Sequence, residues 1–151
     1  KGNLDLFFSL FEKDTPQLLA VTKEFNPRLH FLAVETKDGF DAKNGGFEVE
    51  EYLRSLCVKK YYLQKFWDYL GCRAKNISSS WWEDCLSGSD ALAVKTCARG
   101  AEGAKLLKEN ISLAKELQVM SGPVYLLDNQ QIFSSRGVPD KEELKKIIEK
   151  R

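Results

Sequence analysis

The stretch Ser121-Gly122-Pro123-Val124-Tyr125-Leu126-Leu127-Asp128 constrains the fold of this chain more than any other. A small residue and a proline lead into a short apolar strand. Asp128-Asn129-Gln130 then supply turn chemistry, and Gln131–Ser134 reads as the returning strand of a hairpin. Arg136-Gly137 breaks that strand. Pro139 falls at the first position of a closing helix, with Asp140, Glu142 and Glu143 in its first turn and lysines at its far end. Both charge placements suit the helix dipole. Leu144, Ile147 and Ile148 lie on one face of it.

The N-terminal third has a complementary pattern. Leu4–Leu10 is a short apolar run and reads as a buried strand. Pro16 suits the first turn of a helix capped by Asp14 or Thr15; that helix reaches about Phe25 and ends at Asn26-Pro27. Leu29–Glu35 is a second buried strand, so the unit is β-α-β and its strands should be parallel. Thr36–Gly46 is polar and holds three glycines, which predicts a loop. From Phe47 to about Gln118 the pattern is helical, with helices expected near Glu48–Tyr61, Gln64–Lys75, Ser80–Leu86 and Ser89–Leu117. A break is expected around Arg99–Gly103, because each glycine costs about 1 kcal/mol in a helix interior.

At 151 residues the chain is one domain's worth and long enough for a real core. Its 23 basic and 22 acidic side chains leave a net charge of +1 without a basic stripe, which argues against a nucleic-acid partner. No apolar run reaches the roughly 20 residues that a membrane span requires. The chain opens on Lys1-Gly2-Asn3 and reads as a processed or excised piece of something longer.

The four cysteines are Cys57, Cys72, Cys85 and Cys97, and no two stand at Cys-x-x-Cys spacing. The single histidine, His30, lies far from them in sequence, so neither a zinc site nor any other metal or cofactor is expected. The expectation is two structural disulfides in an oxidising compartment, with buried free thiols as the alternative. The turn at Ser78–Ser80 lies almost midway between Cys72 and Cys85, so antiparallel helices would bring these two together and leave Cys57 for Cys97. The rival pairing, Cys57–Cys72 with Cys85–Cys97, stays open. Each bridge would add on the order of 2–4 kcal/mol.

The order β-α-β, helical insert, β-β-α resembles the DsbA-like family of extracytoplasmic thiol oxidoreductases, over nearly the whole chain from Leu4 to Lys150. The cysteine neighbourhoods Leu56–Tyr62, Phe66–Arg73 and Trp82–Cys85 resemble a branch of that family whose insert carries four extra cysteines. The resemblance implies an α/β thioredoxin-like fold with a four-stranded mixed sheet, as a single domain over residues 1–151 with an insertion at about 47–118. It implies that Pro123 is cis and faces the start of the first helix, where the enzymes carry a Cys-x-x-Cys pair. Here that place reads Phe11-Glu12-Lys13-Asp14-Thr15-Pro16. Carboxylates, an amine and a hydroxyl replace a low-pKa thiolate and its resolving thiol, and none of them exchanges with a disulfide.

The resulting expectation is a non-catalytic, extracytoplasmic module that holds an extended peptide or partner protein, as one part of a larger chain. Its candidate face is Phe11, Glu12, Lys13, Asp14 and Thr15 with Gly122, Pro123 and Val124. The competing readings are an oxidoreductase acting through insert cysteines or a partner domain, and a pure spacer. Glu12 and Asp14 read as helix-capping acids before they read as an acid-base pair. His30 reads as a strand residue with no nucleophile to activate. Most of the aromatics Tyr61, Tyr62, Phe66, Trp67, Tyr69, Trp81 and Trp82 suit a core between helices, with one of the adjacent tryptophans outside it. Two Asn-x-Ser matches, at Asn76 and Asn110, are short enough to arise by chance.

Overall fold

The apolar run near the N-terminus becomes a central strand, β1 (Leu4–Phe8), all five of whose residues are buried. The computed structural model describes residues 3–132 and 138–150. After β1 come α1 (Thr15–Thr22), β2 (Arg28–Phe31), β3 (Val34–Thr36), β4 (Gly39–Asp41), α2 (Gly46–Tyr61), α3 (Phe66–Lys75) and α4 (Gly88–Arg99). Then follow α5 (Ala101–Glu116), β5 (Val124–Leu127), β6 (Gln130–Gln131) and α6 (Lys141–Glu149). These elements divide into two units, one of Lys1–Leu32 with Leu113–Arg151 and one of Ala33–Ser112.

The first unit is α/β, with a four-stranded mixed sheet in the order β2-β1-β5-β6. β1 runs parallel to β2 and antiparallel to β5, so its backbone bonds are met on both sides. Alternation along β1 sends Leu4, Leu6 and Phe8 to one face and Asp5 and Phe7 to the other. Phe7 packs in a cluster with Ala114 and Leu126, ringed by Leu32, Leu113, Leu117, Val119 and Val124. Leu6, Phe8, Leu29, Phe31, Leu18, Leu19 and Leu144 are buried as well.

β1 stops at Phe8, short of the expected Leu10, because Ser9 turns the chain. The Ser9 hydroxyl accepts the Phe11 N–H at 3.1 Å and its carbonyl accepts the Thr15 hydroxyl at 2.7 Å. The run Leu29–Glu35 forms two strands rather than one. β2 ends at Phe31, Leu32 N–H reaches Phe8 O at 3.2 Å, and β1 offers no ladder beyond that point. Val34–Thr36 finds its partners in Gly39–Asp41 instead, so a hairpin occupies part of the expected loop Thr36–Gly46.

In the β5–β6 hairpin the loop is two residues, Asp128 and Asn129, with φ of 51° and 68°. Both lie in the left-handed region that a type I′ turn demands. β6 covers Gln130–Gln131; Phe133 and Ser134 of the expected strand, and the Arg136-Gly137 break, lie outside the described residues. Pro139 stands before the closing helix, not at its first position. Asp140 is the N-cap, and its carboxylate accepts the Glu142 N–H at 3.0 Å, which a proline cannot replace.

The second unit holds the β3–β4 hairpin and the helices α2, α3 and α4 with most of α5. The expected helix Ser80–Leu86 is a single 3-10 turn, Trp82–Cys85, and the expected Gln64–Lys75 opens with a 3-10 turn over Leu63–Lys65 before α3. α4 ends at Arg99 and α5 starts at Ala101. A Cβ on Gly103 would stand 2.6 Å from the Cys97 carbonyl oxygen, so the two helices turn this tightly only over glycine. One disulfide joins Cys57 on α2 to Cys97 on α4, with Cα atoms 6.1 Å apart. The other joins Cys72 on α3 to Cys85, at 5.8 Å. Trp82 is buried and Trp81 is exposed.

α2 buries two carboxylates among its apolar residues. Glu51 accepts Tyr69 Oη and Arg73 Nε at 2.7 Å each, Arg54 Nη2 at 2.9 Å and Ser55 Oγ at 3.0 Å. Glu48 accepts Asn44 N and Nδ2 and the Tyr52 hydroxyl. Every oxygen is thereby matched, as a buried charge requires. Burial pushes the Tyr69 phenol up, and the Glu51 carboxylate beside it pushes the same way.

Candidate functional site

The candidate face lies in the first unit, where β1 ends and β5 begins. β1 and β5 are antiparallel with Phe7 opposite Val124, so the chain leaving β1 and the chain entering β5 meet at one end of the sheet. That register brings the Phe11–Thr15 and Gly122–Val124 segments to the same end.

Gly122 is dictated by its neighbours. A Cβ there would lie 2.7 Å from the Phe7 carbonyl oxygen and 2.9 Å from Leu32 Cδ1. Only glycine lets the chain pass this close to β1. The Gly122–Pro123 bond is cis. Ser121 and Gly122 are exposed, while Pro123 and Val124 are half-buried.

The Phe11–Thr15 segment divides into a clamp and a surface. Thr15 is 1% exposed and its hydroxyl is bonded to the Ser9 carbonyl, so it belongs to the scaffold. Its N–H goes to the Glu12 carbonyl at 3.1 Å, which closes the turn. Asp14 occupies the N-cap position of α1, but its carboxylate makes no capping bond; its carbonyl accepts Leu18 N–H at 2.9 Å. The side chains of Glu12, Lys13 and Asp14 are exposed and Phe11 is half-buried. This surface offers two carboxylates, one ammonium and an aromatic edge, which suits recognition by charge and apolar contact.

All four cysteines are closed in disulfides, and all lie in the second unit. Cys57 and Cys97 are buried, whereas Cys72 and Cys85 are half-buried. Among the described residues no group of three or more His, Cys, Asp and Glu side chains is placed to hold a metal ion, and no helix is long and apolar enough to cross a membrane.

Sequence reasoning missed a polar cluster inside the sheet. Asp5 is fully buried in β1 and accepts Arg28 Nε at 2.8 Å and Arg28 Nη2 at 2.7 Å. His30 Nε2 stands 2.8 Å from its Oδ1, and the His30 ring stacks on Phe7 at 4.5 Å. Burial alone would raise the Asp5 carboxyl, but the bonds to His30 and Arg28 outweigh it and hold the group below its usual range. The available signal was a lone acid in an apolar strand, with Arg28 and His30 two residues apart and so on one face of the next.

Neither a family model nor a curated protein matches the sequence. Solved structures match the fold. BdbD from Bacillus subtilis, in its oxidised form, aligns with a TM-score of 0.69 at 14% identity, over 99% of this chain and 86% of that one. The catalytic domain of Proteus mirabilis ScsC gives 0.66 at 17% identity, over 99% and 82%. MdbA of Corynebacterium diphtheriae, a thiol-disulfide oxidoreductase, gives 0.61 at 15%, over 87% and 77%. The chain has a DsbA-like thioredoxin fold. At these identities the likeness is one of fold. Within it, the N-terminus of α1 carries Asp14 and Thr15, and the sulfur chemistry is confined to the two bridges of the second unit.

Proposed function

We propose that this chain is a thioredoxin-fold module that works by binding an extended peptide or partner protein, without thiol exchange, in an extracytoplasmic compartment. On this reading residues 1–151 are a single domain with a helical insertion at about 47–118. The observation that carries the proposal is that all four cysteines are closed in disulfides, while the segment after β1 offers Glu12, Lys13 and Asp14. Disulfide exchange requires an accessible thiolate. Two bridges also suit an oxidising compartment. The exposed backbone of Ser121 and Gly122 gives an extended segment main-chain partners, and the Phe11–Asp14 surface supplies side-chain selectivity.

A second reading, a thiol-disulfide oxidoreductase, draws support from the partial exposure of Cys72 and Cys85. Alkylation and mass spectrometry of the native protein in mild glutathione buffer separate the two. The expected result is two intact bridges and no labelled thiol. Ready reduction of Cys72–Cys85 would transfer the function to that pair. Binding itself is tested by titrating extended peptides and following the backbone amides of Ser121, Gly122 and Val124 by NMR. Peptides that leave those amides unmoved would reduce the module to a spacer.

A further inference from the structure

The second unit contains a cleft of about 390 Å³ between α2, α4 and the Trp82–Cys85 turn. That volume is in the range of small-ligand sites. Its apolar lining is Leu53, Ala98 and the buried Trp82. The Arg54 guanidinium lies over the Trp82 ring at 5.1 Å and is tied to the buried Glu51 at 2.9 Å. Arg54 is thus held in one orientation and its charge is already matched.

Lys95 and Arg99 differ from Arg54. They stand four residues apart on α4, hence on one face, and both line the cleft. Neither has an ion-pair partner among the described residues. Two like charges at this spacing repel each other, and an anion between them removes that cost. The acids of the cleft, Glu50 and Glu83, come from the other elements, α2 and the 3-10 turn. Glu50 stands 3.9 Å from Arg54. The cleft therefore carries two cations on its α4 wall, the mutually close Arg54 and Glu50 on α2, Glu83 on the 3-10 turn and an apolar surface between.

We propose that this cleft binds a carboxylate carried on an apolar body, the carboxylate taken by Lys95 and Arg99 and the body lying against Leu53, Ala98 and Trp82. The site is independent of the sheet-end face, and its test does not depend on that reading. The full chain is titrated with the peptide N-acetyl-Leu-Glu-Leu-amide and, separately, with glutarate, following the Trp82 indole N–H by NMR. A saturable shift is expected, and the double charge reversal K95E/R99E should weaken it by about tenfold or more, roughly the worth of one lost charge-assisted contact. Replacing the peptide's Glu by Gln should weaken binding similarly, a control that requires no change in the protein. Saturation by the peptide alone identifies a protein segment as the ligand, and saturation by glutarate as well identifies free carboxylates. The absence of a saturable shift with either probe, or equal binding of the Gln peptide, overturns the proposal.

Discussion

Gly122 and Asp5 show how single residues hold the sheet together, one at each end of β1. Gly122→Ala would force a methyl to 2.7 Å from the Phe7 carbonyl oxygen. Because backbone cannot yield as a side-chain tip can, urea unfolding should reveal a loss of about 1–3 kcal/mol. Asp5 is expected to contribute to the acid limit of the first unit. Its carboxyl titrates lower in the folded chain than the ordinary 3.8 of the unfolded one. The stability it contributes is therefore complete above that ordinary value and is lost as pH falls through the folded one. Unfolding curves between pH 2 and 6 should steepen in their decline below about pH 4 in the natural chain, and Asp5→Asn should flatten that decline while lowering stability near neutrality. A mutant with an unchanged acid limb would remove Asp5 from this role.

At the scale of elements, the end of α5 and the disulfides lend themselves to measurement. α5 closes in a two-bond cap: Gln118 N–H reaches Lys115 O at 3.1 Å and Val119 N–H reaches Ala114 O at 2.8 Å. Gln118 sits at φ 60°, in the left-handed region where a side chain is disfavoured. Gln118→Gly should accordingly stabilise the protein by about 1 kcal/mol, visible as a rise in the urea midpoint. The disulfides close loops of 40 and 13 residues. Loop entropy then predicts a loss of about 4 kcal/mol for C57A/C97A and about 3 kcal/mol for C72A/C85A, in that order, by denaturant unfolding. The helices themselves were largely legible from apolar spacing. Their ends were less so, because caps depend on which side chain reaches a free N–H: Asp140 does so, Asp14 does not.

For the whole molecule, the β-α-β beginning and β-β-α ending were readable because each rests on local signals. An apolar run, a proline, a left-handed turn pair and an amphipathic helix are all properties of neighbours in sequence. From them the chain by itself determined its element order and hence its α/β class. The four-stranded sheet, and the meeting of Phe11–Thr15 with Gly122–Val124 at one end of it, were implied by the family resemblance and are placed by the register of β1 and β5. Tertiary structure alone decided the rest. β2 ends at Phe31 because β1 has run out of ladder, a fact set by the neighbouring strand. Asp5 became buried because Arg28 and His30 arrive beside it from β2. Two disulfide pairings were open until helices α2, α3 and α4 had packed. The physical reason is the same in each case. The free energy of a buried charge, a ladder bond or a closed bridge depends on a partner far away in sequence, and only the packed chain places that partner.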